Sequence, residues 1–290
     1  MDSIENPQSL DDRMRKHPLS IDEARRFGPT LTRRAFLAEL GLSAASILLP
    51  RCTTTPGGMR IATMGDDEGD HLFVTSLPTG SYRAKIVTAQ DTVGETFAHT
   101  ADVLEATGAD VCVNGSFFEA DGSPSGLLII DGQERHPFIP DKGDGVLYTD
   151  EDGALDLVFM NQFIPIRERA VEAIQINLLS MDGVTFYRTW RRDASQVPRN
   201  FIGINDEGIV NVIFKDTNFV LGDEYMKQVF DCRVVGALDG GGSASAISKS
   251  GLSSYREDLD KRREVRVPTF VLFYKTGRGD VIESVNESHI

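Results

Sequence analysis

An aspartate followed by three glycines and a serine ends a predicted buried strand. In VVGALDGGGSASAI, residues 234–247, a β-branched apolar run leads to Asp239, and Gly240, Gly241, Gly242 and Ser243 follow. Glycine tolerates positive φ and lets a ligand approach the main chain, and successive backbone N–H groups in such turns form anion-binding concavities. The segment therefore predicts a cleft in which a carboxylate, a hydroxyl and bare main chain meet. The structural alternative is a tight turn capped by Asp239.

A second polar segment, VCVNGSFFEADGSPSG at residues 111–126, also follows an apolar strand pattern. Asn114 would project into the same kind of cleft, and Glu119 supplies a second carboxylate nearby in the sequence. The paired aromatic residues Phe117 and Phe118 either pack in the core or form a platform for the face of a sugar. The core is the commoner place for such residues.

Arginines are concentrated in one part of an otherwise acidic chain. Arg188, Arg191, Arg192 and Arg199 lie within YRTWRRDASQVPRNFIGI. Arginine binds phosphate or carboxylate groups through two parallel charge-assisted hydrogen bonds. We expect Arg191 and Arg192 to lie in a solvated loop. Arg199 leads directly into the apolar FIGI, so we place it in the cleft.

These segments occur in an order that resembles the phosphodiester glycosidase domain family. The matching motifs are VNGSFF, Ser125-Gly126, PRNFIGINDEG and ALDGGGSAS, and the resemblance spans roughly residues 85–275. The stretch AVEAIQINLLSMDG is also similar to a helix and turn of that family. The chain departs from the usual motifs at Ser116, where many members have glycine, and at Glu119, where many have aspartate.

The resemblance implies a glycosidase that hydrolyses a sugar-1-phosphodiester, or a related envelope or exopolysaccharide glycoside, at the anomeric carbon. The candidate catalytic residues are Asp239, Asn114, Arg199 and Glu119. The candidate substrate-binding residues are Gly240, Gly241, Gly242, Ser243, Gly115, Phe117, Phe118, Gly126 and Arg266, the last only a loose match to a C-terminal arginine of the family. Backbone N–H groups, Ser243 and Arg199 would hold the phosphate, and a carboxylate would act at the anomeric centre.

Three other classes of protein remain open at this point, one of which is a purely structural or interaction protein. A non-catalytic carbohydrate-binding protein of the cell envelope would need the same cleft without turnover. A metal-dependent phosphodiesterase normally needs several His, Asp and Glu ligands, but the five histidines of this chain form no paired metal motif. We therefore expect no cofactor, with a calcium ion bound by carboxylates left as the alternative.

The remaining segments predict an α+β fold. Strand patterns outnumber helical ones and several are joined by Asp-Gly turns, which favours a mixed, largely antiparallel sheet flanked by helices. Helices are expected over TFAHTADVLEATG, over RAVEAIQINLLSMDGV and over GDEYMKQVFDC. We expect residues 1–58 to be a flexible leader with an export signal and residues 59–290 to be a single domain.

The composition of the chain limits the classes of molecule that we expect it to bind. The 290 residues carry a formal net charge of −14, which argues against nucleic acid as a general partner because phosphate backbones are held by clustered Lys and Arg. A carbohydrate or sugar-phosphate substrate fits the motifs better. Cys112 and Cys232 lie in apolar surroundings and are expected to be buried free thiols, although they could pair in an oxidising compartment.

An arginine pair near the N-terminus resembles a twin-arginine export signal. Arg33 and Arg34 precede the apolar stretch AFLAELGLSAASILLP. This stretch is too short and, with Glu39, too polar for a transmembrane span. The expected location is therefore periplasmic or extracellular. Lipid attachment at Cys52 is a weaker alternative, because Arg51 stands where such sites prefer a small residue.

Replacing Arg33 and Arg34 together by lysine tests this signal. The double variant should stay in the cytoplasm, because the signal is defined by the arginine pair. Cell fractionation measures the outcome, with export of an unrelated protein as the control. Unchanged export of the double variant would contradict the twin-arginine interpretation.

Overall fold

Antiparallel pairing of strands organises the described part of the chain. The computed structural model describes residues 51–54, 59–66, 69–186, 197–254 and 265–276. These residues fall within one compact unit, Ala45–Ile290. The predicted export signal and the arginines Arg188, Arg191 and Arg192 lie outside the described residues.

The described residues contain sixteen strands. In chain order they are β1 Arg51–Thr54, β2 Arg60–Asp66, β3 Gly69–Pro78, β4 Tyr82–Thr88, β5 Val111–Asn114, β6 Leu128–Ile130, β7 Gln133–His136, β8 Gly145–Thr149, β9 Leu155–Phe159, β10 Glu172–Met181, β11 Val184–Thr185, β12 Val197–Asn205, β13 Gly208–Thr217, β14 Val234–Ala237, β15 Ala246–Ser248 and β16 Thr269–Lys275.

Helices are short and few in the same ranges. The α-helices are α1 Ala89–Val93, α2 Thr100–Thr107, α3 Met160–Phe163 and α4 Phe219–Phe230. Two 3-10 helices span Ile164–Arg169 and Gly241–Ser243. Helix α2 ends at Gly108 with φ of 66°, which confirms the predicted glycine stop. Helix α4 begins at Phe219, three residues before the segment predicted from the sequence. The Asn218 side chain caps it by accepting a hydrogen bond from Leu221 N.

The strands form two sheets, and every pair in the described ranges is antiparallel. The large sheet has twelve strands with the main order β1-β2-β3-β13-β12-β14-β10-β6-β7, to which β8, β9 and β11 are attached. The small sheet has the order β15-β5-β16-β4. These sheets and the flanking helices confirm the α+β prediction.

The two sheets pack face to face through one apolar cluster. It contains Phe73 and Ile176 of the large sheet and Val113 and Phe273 of the small one. Helix α2 covers the opposite face of the small sheet through Val103. Burial of these alternate side chains removes apolar surface from water and supplies the main stabilising free energy.

Helix α4 covers part of the outer face of the large sheet. The Phe201 ring meets the rings of Phe214 and Phe219 edge-on, at centroid distances of 5.6 and 6.4 Å. Gly222 of α4 lies directly over Phe201. A Cβ added to Gly222 would lie only 2.1 Å from the Phe201 Cζ. The bare glycine therefore allows the helix to approach the sheet.

The helix predicted over RAVEAIQINLLSMDGV is wrong. This segment forms strand β10, which pairs with β14 and, at Ala173 and Ile174, with β6 on one side and β8 on the other. Nine of its ten residues are buried, because both faces of the strand are covered. A continuous apolar run hides the two-residue period of a strand, so periodicity alone could not separate the two structures.

The sequence did not predict the strands before residue 82. Strands β2 and β3 form a hairpin, and β3 continues the large sheet by pairing with β13. Strand β1 pairs with β2. Strand β1 lies inside residues 1–58, which the sequence analysis assigned to the leader. The predicted domain boundary at residue 58 otherwise stays a prediction.

The tight turns and the cysteines agree with the sequence predictions more closely than these strands do. The predicted Asp-Gly turn after β6 has positive φ at both residues, 50° at Asp131 and 72° at Gly132, as a two-residue hairpin requires. Cys112 and Cys232 are buried free thiols, as predicted. Burial raises the pKa of the Cys232 thiol to about 12, so it stays protonated at neutral pH.

Gly222→Ala tests the close approach of α4 to the sheet. Alanine favours a helix over glycine by about 1 kcal/mol, but the added methyl group would clash with the Phe201 ring. We expect the free energy of unfolding to fall by about 1–3 kcal/mol, measured by denaturant unfolding. Val220→Ala, at a half-exposed position of the same helix, should change it by less than about 0.5 kcal/mol. A stabilised Gly222→Ala variant would contradict the packing described.

Candidate active site

Asp239 stands where strand β14 leaves the large sheet. The residue before it, Leu238, still donates its backbone N–H to the Asn200 carbonyl of β12, at 3.0 Å. The Asp239 N–H instead donates to the Gly115 carbonyl, at 3.1 Å, in the loop after β5 of the small sheet. The aspartate is therefore held at the junction of the two sheets. The sequence predicted that the polar segments after β5 and β14 would meet, and the Asp239–Gly115 hydrogen bond joins them.

Three groups surround the Asp239 carboxylate. Its Oδ1 accepts a hydrogen bond from the Gly240 N–H at 2.9 Å, the Ser243 hydroxyl donates another, and the Arg199 guanidinium adds a nearby positive charge. Burial is the largest influence and raises the pKa of Asp239, while these three groups act in the opposite direction. A carboxylate with a raised pKa is a better proton acceptor near neutral pH.

Arg199 is fixed by stacking and by the neighbouring loop. Its guanidinium carbon lies 4.1 Å from the centroid of the Phe219 ring, at the first residue of α4. This cation–π contact orients the plane of the guanidinium. A Cβ on Gly240 would lie 3.4 Å from Arg199 Cδ and 3.0 Å from the Pro198 carbonyl. The strand carrying the arginine therefore packs against the first glycine of the motif.

The three consecutive glycines meet three different requirements. Gly240 allows the close approach of the β12 main chain. Gly241 has φ of 63°, in the left-handed region, with nothing within 4 Å of an added Cβ. At Gly242 an added Cβ would lie 2.6 Å from a Val265 methyl group. Of the three, Gly241 is the one at which an added Cβ would meet nothing within 4 Å, and contact of the glycines with a ligand stays a prediction.

Asn114 holds the loop from the side of the small sheet. Its Nδ2 donates to the carbonyls of Asp239 and Gly115, at 3.0 and 3.1 Å. Its Oδ1 accepts from the Ser245 N–H at 3.0 Å and from Asn200 Nδ2 at 2.7 Å. The side chain is completely buried and uses both its donors and both its acceptor positions. It lies beside Asp239, as predicted, but in contact with protein groups only.

The sequence did not predict the roles of Asn200 and Asn211. Asn211 Nδ2 donates to Asn200 Oδ1 at 2.6 Å and to the Phe201 carbonyl at 2.8 Å. Both asparagines are completely buried, on the face of the large sheet that packs against the small sheet. The available signal was an isolated asparagine in each of the apolar runs NFIGI and VNVIF, since buried amides require partners.

Glu119 lies in a different environment from Asp239. Its carboxylate accepts hydrogen bonds from Lys142 Nζ at 3.0 Å and from the Ser125 hydroxyl at 2.8 Å. These contacts, led by the Lys142 hydrogen bond, lower the pKa of Glu119, which is exposed to solvent. A lowered pKa makes Glu119 the weaker proton acceptor of the two candidate carboxylates.

The remaining candidates are engaged in packing or ion pairs. Phe118 packs against Phe97, with ring centroids 5.8 Å apart, and Phe117 is half-buried. An added Cβ would lie 2.3 Å from the Thr269 hydroxyl at Gly115 and 2.3 Å from Gln175 Oε1 at Gly126. Arg266 forms an ion pair with Glu95. Direct contacts of these residues with a substrate stay predictions.

The described ranges lack two features, a metal-binding cluster and a membrane-spanning helix. In these ranges no cluster of three or more His, Cys, Asp or Glu side chains is arranged to hold a metal ion. No helix there is both long enough and apolar enough to cross a membrane. The expectation that no cofactor is needed stays a prediction.

Comparisons with known proteins agree with the motifs. The catalytic domain of zebrafish N-acetylglucosamine-1-phosphodiester alpha-N-acetylglucosaminidase, auto-inhibited by its pro-peptide, superposes with a TM-score of 0.55 and 15% identity over 79% of this chain and 82% of that one. A hypothetical protein from Synechocystis superposes with a TM-score of 0.49 and 11% identity, over 78% and 61%. No curated protein sequence matches significantly. The phosphodiester glycosidase family model matches residues 107–274, more than half of the chain, and the chain therefore belongs to this family.

Proposed function

We propose that the protein hydrolyses a sugar-1-phosphodiester at the anomeric carbon, with Asp239 as the catalytic carboxylate and Arg199 as the phosphate ligand. The observation that carries this proposal is the pairing of a half-buried carboxylate of raised pKa with a stacked arginine at one loop. Family membership supports a glycosidase-type hydrolase that acts on a sugar derivative.

The proposed reaction breaks the bond between the anomeric carbon and the bridging phosphate oxygen. The phosphate leaves with the bonding electron pair, as a monoester of its second substituent, and the oxygen of water forms the new bond to carbon. In one route Asp239 accepts the proton of the attacking water. In the other Asp239 first forms a glycosyl ester, water then breaks the ester bond at the anomeric carbon, the Asp239 carboxylate leaves and the proton of the water passes to solvent. Phosphate is a good leaving group, so protonation of the bridging oxygen contributes less than in an ordinary glycoside.

Arg199 supports this reaction through its charge and its orientation. Stacking on Phe219 covers a face of the guanidinium and fixes its plane, and we propose that the edge of the guanidinium binds the phosphate with two parallel hydrogen bonds. Ser243 and the Gly240 N–H were expected from the sequence to bind the phosphate. Since both donate to the Asp239 carboxylate, we propose that they orient the carboxylate instead.

Export is part of the proposal. The arginine pair at Arg33 and Arg34 and the short apolar stretch after it support a periplasmic or extracellular location. An exported enzyme of this class would act on an envelope or extracellular glycan phosphate. A non-catalytic carbohydrate-binding protein would share the location and the cleft, and only a turnover measurement separates the two.

Asp239→Asn is the direct test of the carboxylate. Assays of a panel of sugar-1-phosphodiesters, with both products identified, should show turnover by the wild-type protein. The variant should be at least about 100-fold slower, because the amide cannot accept the proton. Burial already disfavours the ionised carboxylate, so the neutral amide should change the free energy of unfolding by about 1 kcal/mol or less.

Glu119→Gln is the matched control for Asp239→Asn. It removes the same charge from the other candidate carboxylate, which is exposed and paired with Lys142. Its turnover should stay close to that of the wild type. A large rate loss at Glu119 beside a small one at Asp239 would move the chemistry to the loop after β5. Binding without turnover by the wild type would favour the carbohydrate-binding alternative.

The charge of Arg199 should be visible in the pH dependence of the reaction. Arg199 lowers the pKa of Asp239, so Arg199→Ala should raise that pKa. If ionised Asp239 is the active form, the acid limb of the kcat/KM profile moves to higher pH. Arg199→Lys keeps the positive charge and should leave the limb near its wild-type position.

The same two variants separate charge from phosphate recognition. Arg199→Ala should weaken binding of a phosphate-bearing ligand by about 2–5 kcal/mol. Arg199→Lys should also bind less tightly, because lysine lacks the planar fork of donors. Titration calorimetry measures both affinities. An acid limb unmoved in Arg199→Ala would show that the arginine does not act on Asp239.

A further inference from the structure

A chain of three buried asparagines connects the main chain of the large sheet to the candidate catalytic loop. It begins at the Phe201 carbonyl, which accepts a hydrogen bond from Asn211 Nδ2, and continues from Asn211 to Asn200 and from Asn200 to Asn114. The three side-chain contacts along it measure 2.8, 2.6 and 2.7 Å. All three asparagines are completely buried.

The hydrogen bonds between the three asparagines run in one donor-to-acceptor direction, which the backbone imposes. A carbonyl can only accept, so the Phe201 carbonyl requires Asn211 to present its NH₂ group there. The other hydrogen of that NH₂ meets Asn200 Oδ1, which leaves Asn200 Nδ2 to donate to Asn114 Oδ1. Each amide therefore fixes the orientation of the next one.

The Asn114 amide, the last of the three, forms hydrogen bonds to both ends of the loop that contains Asp239. Asn114 Nδ2 donates to the Asp239 carbonyl at one end, and Asn114 Oδ1 accepts from the Ser245 N–H at the other. An Asn114 amide turned by half a rotation would place NH₂ against N–H and oxygen against carbonyl. Both contacts would then be repulsive, so only one orientation holds the loop closed.

We infer that Asn200 is a positioning residue, which acts through Asn114 to keep the loop from Asp239 to Ser245 in its active geometry. The inference rests on the proposed function only where it concerns turnover. Asn200 touches no reacting atom, and its contribution is the orientation of the Asn114 amide. A displacement of about 1 Å in a reacting group can reduce a rate about 100-fold, so a loosened loop should affect turnover more than substrate binding.

Asn200→Leu removes the amide and approximately preserves the volume of the side chain. The matched control is Asn205→Leu, at the opposite end of the same strand. Asn205 Nδ2 donates to the Phe230 carbonyl, and its Oδ1 accepts from two N–H groups of the β12–β13 turn, away from the loop. Both variants should melt at a lower temperature, so melting alone does not decide the question.

Hydrogen exchange of the full-length protein gives the first decisive measurement and needs no substrate. In Asn200→Leu the Ser245 amide should exchange at least about tenfold faster relative to the amides of β13 and β16, because its acceptor, Asn114 Oδ1, loses the Asn200 hydrogen bond that helps to hold it in place. In Asn205→Leu this ratio should stay at the wild-type value. An equal ratio in the two variants would overturn the inference, whether or not any substrate is ever found.

Kinetics give the second measurement once a substrate is in hand. Asn200→Leu should lower kcat at least about tenfold with KM changed less than about threefold, and Asn205→Leu should leave kcat per folded molecule unchanged. An unchanged kcat in Asn200→Leu would overturn the inference while leaving the proposed reaction standing. If the wild-type protein turns over no substrate, the proposed function fails, and the exchange ratio still decides the role of Asn200. Should Asn200→Leu fail to fold, Asn200→Ser is measured in the same way.

Discussion

The side-chain amide of Asn114 joins the small sheet, the large sheet and the candidate catalytic loop at one buried point. Four hydrogen bonds converge on it, and two of them hold the opposite ends of the loop that contains Asp239. A buried polar group left without a partner costs about 1–3 kcal/mol. The geometry around Asp239 is consequently tied to the way the two sheets pack.

Asp239 illustrates a balance between burial and compensation. Partial burial at the junction of the sheets raises the pKa of the carboxylate, while the Ser243 hydroxyl, the Gly240 N–H and the Arg199 charge limit the rise. Without these partners a buried carboxylate would be a costly feature of the fold. With them the pKa of Asp239 is still raised, whereas the Lys142 hydrogen bond lowers the pKa of the exposed Glu119.

The glycine motif brings the arginine, the aspartate and the aromatic ring together. Gly240 admits the main chain that carries Arg199, and Arg199 in turn stacks on Phe219 at the start of α4. Gly222 then allows α4 to lie close to Phe201 on the outer face of the sheet. Glycines far apart in the sequence thus serve one purpose, which is to bring a charged side chain of β12 against the loop after β14.

The sequence by itself determined the α+β class, the family motifs and the turns, and it predicted that Asp239 and Arg199 share one cleft. These features depend on local signals: apolar patterns, Asp-Gly pairs and a carboxylate before three glycines. The sequence misassigned β10 as a helix, because a strand covered on both faces loses its alternating pattern. Only the tertiary structure decided that Asn114 faces protein groups on every side and that Asn200 and Asn211 continue its hydrogen bonds. Asn114 and Asn200 are 86 residues apart, and their contact exists because two sheets pack face to face. No local pattern encodes that contact, since an isolated asparagine in an apolar strand does not indicate which distant amide will satisfy it.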